Sequence, residues 1–135
     1  MLLNTEISSN RSKGSIEVIC GSMFSGKTEE LLRRLKRVEL ANIEYIVFKP
    51  DIDKRYNNQK IVSHNKNTIA AIPLKNSTEI LKLVKKAKVV GIDEAQFFDS
   101  KLISVCNTLA NSGIRVIISG LDMDSNGTPF GVIPN

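Results

Sequence analysis

Short apolar runs alternate along this chain with segments whose apolar residues recur every three or four positions. Ile16, Val18 and Ile19, bounded by Gly14 and Gly21, predict a strand. From Thr28 onward, Leu31, Leu32, Leu35, Val38 and Ala41 fall at helical spacing while Glu29, Arg33, Arg34, Lys36 and Arg37 take the other faces, which predicts an amphipathic helix. Residues 45–48 (Tyr-Ile-Val-Phe) predict a second buried strand, stopped by Pro50 and followed by a polar loop to Asn58, with short strands around Ile61 and Ile69. Ser77 or Thr78 can open a helix carrying Ile80, Leu81 and Val84. Val89, Val90 and Ile92 predict a third strand that ends in Asp93 and Glu94, and Leu102, Val105 and Leu109 a helix ending near Gly113. Residues 115–119 predict a fourth strand with Gly120 at its exit, ahead of a turn-rich tail over 122–135. Residues 1–13 carry almost no apolar pattern and are expected to form a flexible polar arm, leaving 14–135 as one core domain. Such alternation of strand and helix predicts an α/β fold with a mostly parallel sheet flanked by helices, whose ligands bind outside the carboxyl ends of the strands.

Composition changes this picture little. A chain of 135 residues with 41% hydrophobic and 24% charged residues suits one soluble domain with a real core. The net charge of +5 is spread among acids, so it reads as solubility plus a few cations near an anionic ligand, without implying nucleic acid as a partner. Neither a secretory signal nor a run of about 20 apolar residues is present, so a cytoplasmic protein with no membrane partner is expected. Cys20 and Cys106 stand far apart in apolar surroundings, and both are expected to be buried and reduced.

The candidate chemistry lies at two predicted strand ends. Gly21, Ser22, Met23, Phe24, Ser25, Gly26, Lys27 and Thr28 match the P-loop pattern in full, between a strand and a helix as that loop requires. Glycines let successive N–H groups point into the loop, and the following helix adds the partial positive charge of its N-terminus, so the segment suits a polyphosphate. Lys27 would reach the terminal phosphates, and the Thr28 hydroxyl would help to coordinate magnesium. At the third strand, Asp93 is placed to meet that metal, while Glu94, one residue on, can face the reacting centre and take a proton from an attacking hydroxyl. Taken alone, the first segment is also compatible with a capped turn and the second with an acidic turn after a buried strand.

With these motifs in hand, Met23-Phe24 inside the loop, Asp93-Glu94-Ala95-Gln96-Phe97-Phe98 and Gly120-Leu121-Asp122-Met123-Asp124 resemble the type II thymidine kinase family. Asp53-Lys54-Arg55-Tyr56, Ser63-His64-Asn65 and Pro129-Phe130-Gly131 fall in matching order, so the resemblance runs from about Gly14 to the last residue. It implies a RecA-like P-loop core and transfer of the ATP γ-phosphoryl group to the 5′-hydroxyl of thymidine or deoxyuridine, a salvage step for DNA synthesis. It also implies Glu94, Lys27 and Arg55 as catalytic residues, and an ATP site made of residues 21–28 with Asp93, Glu94, Ala95 and Gln96. Thr28 and Asp93 would hold magnesium, and Met23, Phe24, Phe97 and Leu121 would surround the nucleoside. For Phe98 core packing is the stronger expectation, Gln96 can alternatively cap a helix, and His64 reads as a loop residue supporting the site.

The family continues past the position of Asn135 into a smaller lobe with a four-ligand zinc site and a lasso-like loop. On that comparison the chain reads as C-terminally shortened, with no zinc site, since both cysteines lie upstream. The family forms tetramers, so a homo-oligomer is expected. Two other outcomes are compatible with the residues: a remnant that binds ATP without turnover, and a RecA- or helicase-like ATPase in which the acidic strand end activates water.

Overall fold

In the computed structural model, residues 14–20, 26–52, 59–62 and 67–121 are described, Leu121 by its backbone alone. The strands are β1 (Ser15–Cys20), β2 (Tyr45–Pro50), β3 (Lys60–Val62), β4 (Thr68–Ala70), β5 (Ile72–Leu74), β6 (Val89–Ile92) and β7 (Arg115–Leu121). The helices are α1 (Lys27–Leu40), α2 (Glu79–Leu83) and α3 (Leu102–Asn111), with a single 3₁₀ turn at Ala95–Phe97. Five strands form one sheet in the order β1-β7-β6-β2-β5, every pairing parallel, while β3 and β4 pair antiparallel by themselves. The predicted α/β architecture, a parallel sheet flanked by helices, is therefore what the chain adopts.

Alternation along the strands divides the core into two layers. Val47, Val89, Ile117 and Ile19 face Leu31, Leu32, Leu35 and Val38 of α1 together with Ile61 and Ile69 of the β3–β4 pair. Phe48, Val90, Ile92, Val116 and Ile118 face the other way, onto Ile80, Leu102, Val105, Cys106 and Leu109 from α2 and α3. Helix α1 ends because Asn42 adopts φ 61°, which lets the Ile43 N–H reach Val38 O at 3.2 Å and the Asn42 N–H reach Glu39 O at 3.0 Å. On the exposed rim, the Glu17 carboxylate accepts from Arg115 Nε (2.6 Å) and Nη2 (3.1 Å) and from Arg34 Nη1 (2.9 Å), tying β1, β7 and α1 together. These partners hold the Glu17 carboxyl below the usual range, although partial burial acts in the opposite sense and is the largest single influence.

Several expectations change. β2 ends at Pro50 as expected, but Pro50 is itself part of the strand; it pairs with Leu74, two rows beyond the last β6 partner, where its missing N–H costs no bond to β6. Strand β5 was hidden by Pro73 at its centre, which an edge strand tolerates. Helix α2 is only five residues long; Val84 is its C-cap and Leu81 is exposed. Strand β7 continues through Gly120 to Leu121. Cys106 is buried as expected, with its thiol pushed up to about 12 by burial, but Cys20 is exposed. The reason is alternation: Ile19 turns into the α1 layer, leaving Cys20 on the opposite face at the open end of an edge strand. Residues 1–13 and 122–135 lie outside the described residues.

Candidate active site

The parallel register brings both candidate motifs to one end of the sheet. Helix α1, which begins at Lys27, follows β1; Asp93 and Glu94 follow β6; and β7 lies between those two strands. Gly26 precedes α1 with φ 85°, a left-handed conformation natural to glycine, so that Lys27 and Thr28 open the helix directly. From there the Lys27 ammonium reaches across to the carbonyl of Gly120 at 3.5 Å, a long contact that places it over the end of β7.

Phe48, Ile92 and Ile118 occupy one row across β2, β6 and β7. The next row is Lys49, Asp93 and Ser119, and the Asp93 N–H still bonds Phe48 O at 3.0 Å, so the ladder persists to that residue. By alternation this row faces α1, since Val47, Val89 and Ile117 do. Asp93 is 5% exposed. Burial above all, and then the charge of Glu94, push its carboxyl from the ordinary 3.8 up to about 6; the Glu94 N–H, the Ser119 hydroxyl and the charge of Lys49 pull the other way without winning. The Ser119 hydroxyl forms no hydrogen bond among the described residues, so its influence on Asp93 is one of proximity. Lys49 donates to Lys60 O at 2.7 Å, binding β2 to β3, and its desolvation, opposed by Asp93, Glu94 and Asp51, lowers its pKa.

Glu94 differs from its neighbour in both burial and backbone. It is half-buried and adopts φ 54°, ψ 43°, a conformation that typically costs a non-glycine residue about 1–2 kcal/mol. Its side chain accepts from Gln96 Nε2 at 3.2 Å, which is where that amide goes instead of capping a helix. Gly120 presses on this turn: with φ 108°, a Cβ there would lie 2.6 Å from Glu94 Cα and 2.7 Å from Gln96 Oε1. Two adjacent carboxylates thus occupy unlike surroundings, one buried in the sheet row and one on a strained turn open to solvent.

The thymidine kinase family model matches residues 14–135. The chain belongs to the thymidine kinase family. It is 59% identical over 128 residues to the thymidine kinase of Bacteroides fragilis, covering 95% of this chain and 64% of that protein. A Porphyromonas gingivalis thymidine kinase is 59% identical over 122 residues, 90% of this chain and 60% of that protein. The thymidine kinase of a Rhodothermus species is 54% identical over 123 residues, 91% of this chain and 58% of that protein. The chain therefore spans somewhat under two thirds of the length of these relatives.

Of the residues expected from the thymidine kinase resemblance, Gly26, Lys27, Thr28, Asp93, Glu94, Ala95, Gln96 and Phe97 are described, all at the carboxyl end of the sheet. Ala95 is buried, Phe98 packs on the α2–α3 layer in keeping with a core role, and Phe97 is 55% exposed. Gly21, Ser22, Met23, Phe24, Ser25, Arg55 and His64 lie outside the described residues, as does the Leu121 side chain. Lys49 and Ser119 were missed; each is a polar residue following an apolar run near the carboxyl end of its strand, and only the sheet register sets them beside Asp93. Among the described residues no cluster of three or more His, Cys, Asp or Glu is placed to hold a metal, and none of their helices is long and apolar enough to cross a membrane.

Proposed function

We propose that this chain is the nucleotide-binding core of an ATP-dependent thymidine kinase, transferring the γ-phosphoryl group of ATP to the 5′-hydroxyl of thymidine or deoxyuridine. The observation that carries this is that Lys27, at the head of α1, and the Glu94 turn both lie against Gly120 at the end of β7. Phosphoryl transfer asks a protein mainly for positioning and charge neutralisation, and that arrangement offers a cation, a buried carboxylate and a solvent-facing carboxylate on adjoining strand ends.

In this scheme Lys27 and the N-terminal amides of α1 hold the phosphates. Asp93 and the Thr28 hydroxyl would hold the magnesium ion, which would supply neutralisation of phosphate charge when bound. A magnesium site fits the residues present. One carboxylate and one hydroxyl, completed by phosphate oxygens and water, suit that ion, and a buried Asp93 whose ionisation is disfavoured is suited to an arriving cation. Glu94 accepts the proton of the attacking hydroxyl, its accessible position leaving room for the acceptor nucleoside. Phe97, exposed beside it, offers an aromatic face to the base.

Replacing Glu94 by Gln should leave ATP affinity nearly unchanged and lower phosphoryl transfer by about 10²- to 10⁴-fold. Lys27→Ala should instead weaken nucleotide binding itself. Direct ATP titration beside single-turnover kinetics separates the two, and full turnover by Glu94→Gln would remove the base assignment.

A further inference from the structure

The sheet row described above ends on a side chain that the scheme leaves idle. Ser119 is fully buried, and its hydroxyl has no hydrogen-bond partner among the described residues, a condition that an alanine of nearly the same shape would relieve. Its place in the fold is specific. Ser119 pairs with Ile19 on one side; on the other it follows Ile118, whose β6 partner Ile92 is the residue before Asp93. Both Ser119 and Asp93 project into the α1 layer, toward the end where Lys27 lies. On the far flank of Asp93 stands Lys49, whose ammonium donates to Lys60 O.

We propose that Ser119 is a positioning residue, whose hydroxyl donates to the Asp93 carboxylate oxygen turned away from the metal when a magnesium-nucleotide draws that carboxylate into coordination. The assignment rests on Asp93 being the metal carboxylate of the proposed kinase. One oxygen of Asp93 is then held by Ser119 and the other is free to face the ion, so the carboxylate cannot swivel between orientations. A buried donor with no partner among the described residues is the cost of keeping one ready, and partners of this kind usually govern metal affinity strongly.

The test is binding of Mn²⁺–ATP to the whole chain, followed by water-proton relaxation enhancement, which distinguishes Mn²⁺–ATP on the protein from Mn²⁺–ATP in solution, for wild type, Ser119→Ala, Ser119→Cys and Asp93→Asn. Ser119→Ala should weaken Mn²⁺ binding about 10-fold or more, as loss of a group that orients a metal ligand commonly does. Ser119→Cys, equal in bulk but a poor donor, should follow it. The metal-free Tm of Ser119→Ala should equal or exceed that of wild type, because an unpartnered buried hydroxyl has been removed. Wild-type Mn²⁺ affinity in Ser119→Ala or in Ser119→Cys would overturn the proposal, as would a lower metal-free Tm in Ser119→Ala. If Asp93→Asn abolishes Mn²⁺ binding while Ser119→Ala does not, Ser119 alone has been misassigned. If Asp93→Asn also binds Mn²⁺ normally, the placement of the metal site in the proposed kinase falls, and the role of Ser119 with it.

Discussion

Asp93 should destabilise the metal-free protein, and by an amount that depends on pH. Its carboxyl titrates near 3.8 when exposed and at about 6 in the fold, because burial and the adjacent Glu94 disfavour its charge. A carboxyl raised in this way binds its proton more tightly in the folded state, so stability falls as pH climbs through the interval between those two values. Below it both states are protonated and nothing is lost; above it the loss is complete. At about 1.4 kcal/mol per pH unit, the full penalty is about 3 kcal/mol near pH 8, and only about 1 kcal/mol near pH 4.5. Asn has the same shape without the charge, so Asp93→Asn should be more stable than wild type by roughly those amounts. Urea unfolding in EDTA, followed by circular dichroism at the two pH values, measures the difference directly. Addition of magnesium-ATP should reverse the order, since ligand binding stabilises only the protein that retains the carboxylate. An Asp93→Asn protein no more stable than wild type at pH 8, or a gap that does not widen between the two pH values, would refute this reasoning.

Two further expectations concern the scaffold. Glu17→Gln should cost about 1–2 kcal/mol near neutrality, because a half-buried carboxylate bonded to Arg34 and Arg115 is lost. The folded pKa of Glu17 is depressed, so that difference should be complete above its ordinary value of 4.5 and fade as pH falls below it, which denaturation at pH 7 and in acid would reveal. Thiol titration of the native protein should label Cys20 quickly and Cys106 only after unfolding, since Cys106 is 1% exposed and its thiolate is disfavoured. Equal protection of both would contradict the exposure of Cys20.

Much of the fold was legible because it rests on long, periodic segments. The α1 stripe of Leu31, Leu35 and Val38 and the apolar run of β6 each correspond to an element whose burial is nearly complete. The elements that escaped are those in which tertiary pairing overrides local signals. Pro73 in β5 and Pro50 in β2 sit in strands because of where the sheet's edges and row ends fall, which no local window contains. Cys20 was misjudged for a related reason, since an apolar neighbourhood in sequence does not say which face of an edge strand looks outward. At the site, Asp93 and Glu94 stood out by type and position. The row linking Asp93 to Lys49 and Ser119 needed the register of three strands far apart in sequence. The strain at Glu94 and its contact with Gly120 were likewise invisible until β6 and β7 lay side by side.

Whether this chain is a kinase acting on thymidine is tested by following the γ-phosphate. With magnesium and γ-labelled ATP, the account predicts labelled thymidine monophosphate in the presence of thymidine, none in its absence, and a loss of about 10²-fold or more in Glu94→Gln. Measurable ATP binding with no labelled nucleotide, or ATP hydrolysis that ignores thymidine and responds to DNA, would contradict it.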